Sequence, residues 1–156
     1  MDKMERITKY LNRVTRAAVL DRASAFSNRD LSGMQISFIL QICRNPGLTQ
    51  EQLAKRLFID KSTVTRNISR MAKNGFIRRE VDSADRRARL LFPTRKAKEL
   101  YPVIIEYLDE WNDYLTGDLN EEDQESLLRL IRHLTEKATQ RIKDKGLATL
   151  IEMREV

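Results

Sequence analysis

The chain has 156 residues, of which 41% are hydrophobic and 33% are charged, and it carries a formal net charge of +6 at pH 7. This length suits a single domain, and the hydrophobic fraction is large enough for a buried core, which excludes a wholly disordered chain. One cysteine, Cys43, and one histidine, His133, exclude an internal disulfide and an ordinary Cys/His zinc site, and no apolar run approaches the roughly 20 residues of a membrane span.

The first segment predicts a long amphipathic helix over roughly residues 3–26. Its apolar residues, among them Ile7, Leu11 and Val14, recur at steps of three and four. The polar residues 27–30 then end the helix. Because the N-terminus is charged and periodic, unlike a signal peptide, we expect a cytoplasmic protein without a membrane contact.

Two capping boxes mark the starts of the next two helices. Ser32 with Gln35, and Thr49 with Gln52, have the spacing at which a hydroxyl and an amide side chain satisfy free N–H groups of the first helical turn. They predict one helix from 33 to about 44 and, after a Pro-Gly stop, a second and shorter helix.

Another helix follows a tight turn at residues 58–60. Asp60 can cap this helix, and Asn74-Gly75 supplies the left-handed residue that commonly ends one. The helix between them places three apolar residues on one face, namely Val64, Ile68 and Met71. The sequence thus predicts two helices joined by a tight turn.

Beyond Gly75 the periodicity changes to that of a β-hairpin. Residues 76–81 and 88–92 form the pattern of two short strands around the polar stretch 82–87, whose tip is basic. Helix, turn, helix and basic hairpin are typical of a winged helix-turn-helix. In that unit the second helix enters the major groove of DNA and the hairpin, or wing, reaches the adjacent minor groove.

Two long helices complete the predicted elements. Pro93-Thr94 opens the first, residues 116–118 break it, and the second extends from 120 to about 145, ahead of a tail at 146–156 without a clear pattern. Each helix has an apolar stripe, and we expect the stripe of the second helix to face inward. The stripes are Leu100, Ile104, Leu108, Trp111 and Leu115 in the first helix, and Leu127, Leu128, Ile131 and Leu134 in the second.

Positive charge is concentrated in the winged unit. Residues 53–98 hold 14 Lys and Arg against 4 Asp and Glu, a net charge of +10, whereas residues 1–52 carry +3 and residues 99–156 carry −7. A basic block of this kind is the electrostatic signature of a surface that docks on phosphates, although a solvated basic face is the alternative. We therefore predict double-stranded DNA as the partner.

The second helix of the winged unit, named the recognition helix below, offers polar side chains opposite its apolar face. Near its N-terminus, Ser62, Thr63 and Arg66 are the first candidates for contacts with base edges. Arg66 can bind guanine through two hydrogen bonds, and Asn67 can pair with adenine if it faces the groove. An ordinary polar surface is the alternative for each residue. The residues expected to hold phosphates are Lys61, Thr65 and Arg70.

The hairpin tip carries two adjacent arginines flanked by two aspartates. We expect Asp82 and Asp85 to brace a guanidinium through a charge-assisted bond, so that Arg86 or Arg87 points into the minor groove. Loop charge without a binding role is the alternative.

The terminal helices carry more apolar surface than a small winged domain needs. We expect a second copy of the chain to cover it, with closure of the chain's own core as the alternative. The predicted fold is mainly α with a small β-hairpin wing, a winged helix-turn-helix joined to a helical dimerisation region. Its predicted parts are a dimerisation helix at 1–30, a DNA-binding domain at 31–96 and dimerisation helices at 97–145.

A resemblance to a known family covers nearly the whole chain and is clearest at residues 53–94, LAKRLFIDKSTVTRNISRMAKNGFIRREVDSADRRARLLFPT. The Ser-Thr-Val-Thr-Arg opening of the recognition helix, its Asn-Gly end, and Asp85-Arg86-Arg87 followed by a strand and Pro-Thr resemble the multiple-antibiotic-resistance regulator (MarR) family. The resemblance implies a triangular homodimer in which the first helix and the last two of each chain interlock, with two winged units on a palindromic operator. Two departures, Ala97 and Phe92-Pro93, affect a connection and not the DNA-contacting residues.

The resemblance also implies regulation, because members of the family are mostly repressors relieved by small phenolic or lipophilic ligands or by cysteine oxidation. Tyr10, Phe38, Tyr107 and Trp111 are candidates to line an effector pocket, with plain packing as the alternative. The reactive cysteine of the oxidation-sensing branch lies near the start of the first helix, where this chain has none. Cys43, at the apolar end of the second helix, is expected to act as a small hydrophobe.

The predicted function is sequence-specific transcriptional regulation by a homodimeric repressor that needs no cofactor. The alternatives are a nonspecific DNA-coating or architectural protein, a redox-sensing regulator acting through Cys43, and a winged helix used for protein contacts. We do not expect an enzyme, because the sequence has no glycine-rich phosphate loop, no nucleophile elbow and no paired carboxylates beside its lone histidine.

Overall fold

The computed structural model describes residues 6–146, which contain six α-helices and three short strands. The helices are α1 (Ile7–Ala25), α2 (Gly33–Arg44), α3 (Gln50–Leu57), α4 (Lys61–Lys73), α5 (Arg95–Thr116) and α6 (Glu121–Asp144), and the strands are β1 (Leu48–Thr49), β2 (Ile77–Val81) and β3 (Arg89–Pro93). This confirms the mainly α fold with a small wing. The predicted helical residues 3–5 and the tail from 147 lie outside the described residues. None of the helices in residues 6–146 is long and apolar enough to cross a membrane.

Both predicted capping boxes form. The Ser32 N–H donates to Gln35 Oε1 at 3.0 Å while the Gln35 N–H donates to Ser32 Oγ at 3.3 Å, which fixes the start of α2. Thr49 and Gln52 make the same reciprocal pair at 2.9 and 3.1 Å and fix the start of α3. The first helical turn of each helix therefore has backbone donors satisfied by side chains placed three residues apart in the sequence.

The three strands form an antiparallel sheet in the order β1-β3-β2. The hairpin strands pair from Ile77 opposite Pro93 to Val81 opposite Arg89, each starting one residue later than predicted. The sequence did not predict β1, which pairs Leu48 with Leu91. Two residues are too few to produce an alternating pattern, and this strand exists only because β3 lies beside it.

The core lies where α2 packs against α1, α5 and β3, with α4 closing it beside α3. The predicted apolar face of α4 is confirmed, because Val64, Ile68 and Met71 are fully buried. Gly33 allows the close approach of α1 and α2, since a Cβ at this position would lie 2.7 Å from the backbone oxygen of Val19.

The prediction that the apolar stripe of α6 faces inward is wrong for the single chain. Leu128 is 57% exposed, Leu127 and Ile131 are also exposed, Leu134 is half-buried, and no residue of α6 is buried. The reason is that the first half of α5 already closes the core, so that α6 begins beyond it. Of the two C-terminal helices, α5 therefore completes the core of its own chain through Leu100 and Ile104, whereas α6 does not.

We predict that Gly33→Ala lowers the free energy of unfolding by about 1–3 kcal/mol, because the added methyl group would press on the backbone of α1, which cannot move as a flexible side chain can. Denaturant titration measures the change. Gln41→Ala, at a half-buried position of the same helix, is the control and should have a much smaller effect. Equal stability of Gly33→Ala and the natural chain would contradict this account of the α1–α2 contact.

Candidate nucleic-acid interface

The recognition helix α4 separates its side chains into a buried face and an exposed polar face. Its apolar residues fill the core, and Arg66 lies on the opposite, solvent-exposed side. The other exposed residues of the helix are Lys61, Ser62, Thr65, Ser69, Arg70 and Lys73. Because burial of one face fixes the rotation of the helix, this polar face is presented outward as the sequence predicted.

Asp60 organises the N-terminus of α4. Its Oδ1 accepts the Thr63 N–H at 2.8 Å and the Ser62 hydroxyl at 2.7 Å. These bonds favour the ionised carboxylate and lower the pKa of Asp60 to about 2. The turn before it is tight because Phe58 adopts a left-handed conformation, with φ 52°. The helix start therefore holds Ser62 and Thr63 in a fixed arrangement.

The next turn of α4 places two further predicted residues. A guanidinium nitrogen of Arg66 donates to Thr63 Oγ1 at 3.1 Å, which orients the exposed arginine along the helix. Thr65 donates its hydroxyl to Gln50 Oε1 at 3.2 Å and so links α4 to the first residue of α3. The two helices of the turn thus share a polar contact outside the core.

Asn67 is arranged differently from the expectation that it pairs with adenine. Its Nδ2 donates to the Thr63 carbonyl at 2.9 Å, and its Oδ1 accepts from Gln35 Nε2 at 3.2 Å. Both ends of its amide are therefore engaged within the chain. Arg70 also has an internal partner, because it forms an exposed ion pair with Asp30 at 3.1 Å. The contacts of Gln35 with Asn67 and of Asp30 with Arg70 were not predicted, because the partners lie more than thirty residues apart in the sequence.

The aspartates of the wing brace its backbone and not a guanidinium, which corrects the predicted interaction. Asp82 Oδ1 accepts the Ala84 N–H at 2.9 Å, and Asp85 Oδ1 accepts the Arg87 N–H at 3.0 Å. An aspartate readily bonds the N–H two residues ahead, and this local donor is reached without ordering a long side chain. Both arginines at the tip, Arg86 and Arg87, are exposed.

The wing and the start of the recognition helix border one groove. Lys61 of α4 lines it together with Arg87 and Arg89 of the wing, and the start of α3 forms another wall. Three cations therefore line this groove beside the N-terminal end of α4, together with the carboxylates of Glu51, Asp82 and Asp85. The positive end of a helix and nearby guanidinium groups both favour phosphate oxygens.

The structure does not bring the four predicted effector-pocket residues together. Phe38 is fully buried in the core, and Tyr10 is exposed on α1. Tyr107 and Trp111 do line one open groove between α1 and α5, beside Asp21. There the Tyr107 hydroxyl donates to Asp21 Oδ2 at 2.6 Å, and desolvation together with this carboxylate raises the pKa of Tyr107.

Cys43 and His133 show no arrangement that suggests chemistry. The Cys43 side chain is half-buried against the core, and this burial raises the pKa of its thiol. A raised pKa lowers the thiolate fraction on which cysteine oxidation depends. His133 is exposed on α6, and residues 6–146 contain no group of three or more His, Cys, Asp or Glu that could hold a metal ion.

The cap at Asp60 predicts a specific dependence of stability on pH. Because the pKa of Asp60 is about 2 in the folded chain against an ordinary 3.8, the ionised cap stabilises the fold above pH 3.8, and this contribution is lost as the pH falls toward 2. We expect the difference in unfolding free energy between the natural chain and Asp60→Asn to shrink over this range in denaturant titrations. A difference that stays constant would show that ionisation of Asp60 does not contribute to the stability of the fold.

Comparisons with known proteins agree with this architecture. The sequence model of the MarR family matches residues 29–88. The HTH-type transcriptional regulator YybA of Bacillus subtilis is 29% identical over 84% of this chain and 87% of its own length. The transcriptional regulator HosA of Escherichia coli is 30% identical over 67% of this chain and 78% of its own length.

A solved structure shows the same arrangement of elements. A MarR family transcriptional regulator from Listeria monocytogenes, solved in complex with a 26-mer DNA, is 28% identical and superposes with a TM-score of 0.84. The match covers 92% of this chain and 97% of that protein. Sequence and structure therefore agree that the chain belongs to the MarR family of DNA-binding transcriptional regulators.

Proposed function

We propose that this regulator is a homodimeric repressor that binds a palindromic operator and is relieved by a small-molecule effector. The observation that carries the DNA-binding part is the convergence of the capped start of α4 with the cationic wing on one groove. A recognition helix and a wing that share one face can follow the major groove and the adjacent minor groove together. The Listeria relative of the same fold was solved in complex with DNA, which supports DNA binding by this chain.

Contacts with bases and contacts with phosphates are assigned to different residues. Arg66, exposed and oriented by Thr63, reads a base edge through its two-pronged guanidinium, with Ser62 beside it. Lys61 at the helix start and Thr65 hold phosphates. Arg70 also holds a phosphate, which replaces its exposed and therefore weak ion pair with Asp30. Arg86 and Arg87 enter the minor groove from a loop whose backbone the aspartates hold.

The homodimer is supported by apolar surface that the single chain leaves uncovered. Leu20 of α1 is 72% exposed, Tyr114 of α5 is 83% exposed, and Leu127, Leu128 and Ile131 of α6 are exposed as well. Large apolar side chains exposed on three helices favour an interface with another protein chain. We therefore assign residues 1–30 and 97–145 to dimerisation and residues 31–96 to DNA binding. The net charge of −7 on residues 99–156 turns this region away from DNA.

The effector is assigned to the groove between α1 and α5. Tyr107 and Trp111 provide aromatic surface for a small phenolic or lipophilic ligand. Both helices that form the groove, α1 and α5, are assigned to dimerisation. Phe38 offers no exposed surface and Tyr10 does not line this groove. Relief by oxidation of Cys43 is disfavoured by the raised pKa of its thiol.

The central experiment combines assembly with DNA selection. We expect a dimer by sedimentation at micromolar concentration, and we expect fragments selected from a genome to contain an inverted repeat with half-site centres ~10 bp apart. Ile131→Glu, within the apolar stripe of α6, should produce monomers with weakened operator binding. Gln140→Glu, about two and a half turns further along α6 and on its other side, should stay dimeric. A natural monomer, or selected fragments without a shared sequence, would support nonspecific coating instead.

Two single variants separate base reading from phosphate binding. Arg66→Ala should weaken operator binding by about 1–3 kcal/mol and relax base preference, because a bidentate contact is lost. Lys61→Ala should weaken binding to operator and random duplex alike and reduce the salt dependence, because it removes one phosphate contact. Titrations of both DNAs at several salt concentrations measure this. Equal losses on both DNAs for both variants would remove Arg66 from base reading.

The wing is tested by replacing both arginines at its tip. The double variant Arg86→Ala and Arg87→Ala should bind the operator much more weakly while keeping its unfolding temperature, because an exposed tip contributes little packing. A double variant of Lys143 and Lys145 to alanine removes the same charge at the end of α6 and should bind nearly normally. Asp85→Ala should weaken binding indirectly by freeing the loop. If the arginine variant binds the operator with unchanged affinity, the wing does not contribute to DNA binding.

A further inference from the structure

A hydrogen bond between two amide side chains, the buried Gln35 and the half-buried Asn67, joins the start of α2 to the recognition helix. Gln35 is 2% exposed and is the one buried polar or charged residue among those the structure describes. Its Oε1 completes the capping box with Ser32, and its Nε2 donates to Asn67 Oδ1 across 3.2 Å. One side chain thus serves two elements at once, the helix on which it lies and the helix that faces DNA.

The second capping box of the chain shows that capping alone does not require this burial. Gln52 makes the same two bonds with Thr49 at the start of α3, but its side chain is exposed. The difference between the two glutamines is the contact of Gln35 with α4. A buried amide that lost this partner would keep an unsatisfied donor, which is more costly than the loss of an exposed hydrogen bond.

Further polar contacts hold the same side of α4. Asn67, Arg70 and Asn74 follow each other at helical spacing, and the last two donate to the two carboxylate oxygens of Asp30 at 3.1 and 3.0 Å. Asp30 lies in the connection just before α2. This second contact is exposed and therefore weak, so the contact of the buried Gln35 with Asn67 is the stronger restraint on α4.

The same end of α2 also contacts α1. Gly33 approaches the Val19 backbone, and Arg22 donates to Ser37 Oγ at 3.2 Å. The buried face of α4 excludes any large rotation of this helix, and an amide hydrogen bond, which depends on direction, restricts the small rotations that remain. Gln35 therefore lies between two residues of α2 that contact α1, Gly33 and Ser37, and itself binds α4.

We infer that Gln35 is a positioning residue for DNA recognition, acting through Asn67 to fix the rotation of α4 and so the direction of Arg66. The inference rests on the proposed reading of DNA by α4. It assigns Asn67 to the internal contact and not to a base, because both ends of its amide are engaged. A change at either residue misplaces the whole exposed face of α4, so the loss spreads over all the base pairs of a half-site.

The test compares Gln35→Met with Gln52→Met, which removes only a cap. We expect Gln35→Met to weaken binding to the selected operator about ten-fold while binding to random duplex is unchanged, because misdirected side chains lose base contacts but keep charge. Gln52→Met should leave both affinities unchanged. Gln35→Glu keeps the capping acceptor but loses the donor to Asn67, and should resemble Gln35→Met. Equal effects at the two glutamines, or equal losses on both DNAs, would overturn the inference.

A measurement without DNA separates this inference from the proposed function. Amide hydrogen exchange should be faster in α4 of Gln35→Met than in α4 of Gln52→Met, with the core of α2 equally protected in both. The double variant Gln35→Met with Asn67→Ala should change exchange in α4 by less than the sum of the two single variants, because both remove the same contact. Unchanged exchange in α4 would overturn the inference even if the operator is bound. A different result would be faster exchange in α4 of Gln35→Met together with a natural chain that selects no DNA. This result would contradict the proposed function, and with it the role of Gln35 in DNA recognition.

Discussion

The burial of one face of α4 is the constraint on which the rest of the structure depends. Val64, Ile68 and Met71 have no exposed surface, so the helix cannot rotate without exposing apolar groups to water. Its opposite face must then be polar and outward. Asp60 sets where that face begins, and the hairpin that follows α4 places the wing beside it. Recognition chemistry is thus a consequence of how the core is closed.

The second organising feature is the division of charge and apolar surface along the chain. The winged unit holds the basic excess, while the acidic C-terminal helices carry exposed leucines that the single chain cannot cover. The basic surface favours contact with phosphates, whereas the exposed leucines favour contact with another apolar surface. Through Gly33 and Gln35, α2 contacts both the helix assigned to dimerisation and the helix assigned to DNA. A shift of α1 therefore has a physical route to the recognition helix.

Local signals in the sequence predicted most of the fold, and long-range contacts account for what they missed. Both capping boxes, the Asp60 cap and the hairpin depend on residues a few positions apart, and all of them form. The periodicity of α6 showed that one face is apolar but not what covers it. The partners of Asn67 and Arg70 were missed because a single sequence does not show which distant polar residues meet. The wing aspartates were paired with the wrong donors because a nearby N–H competes with a guanidinium.

We have proposed that the exposed face of α4 and the tip of the wing bind DNA together. Amide hydrogen exchange of the natural chain, with and without a selected duplex, tests it most directly. The account predicts added protection at the start of α4 and at residues 82–89, with no change in exchange along the second half of α6. Protection confined to α1, α5 and α6, with α4 and the wing unaffected, would contradict it.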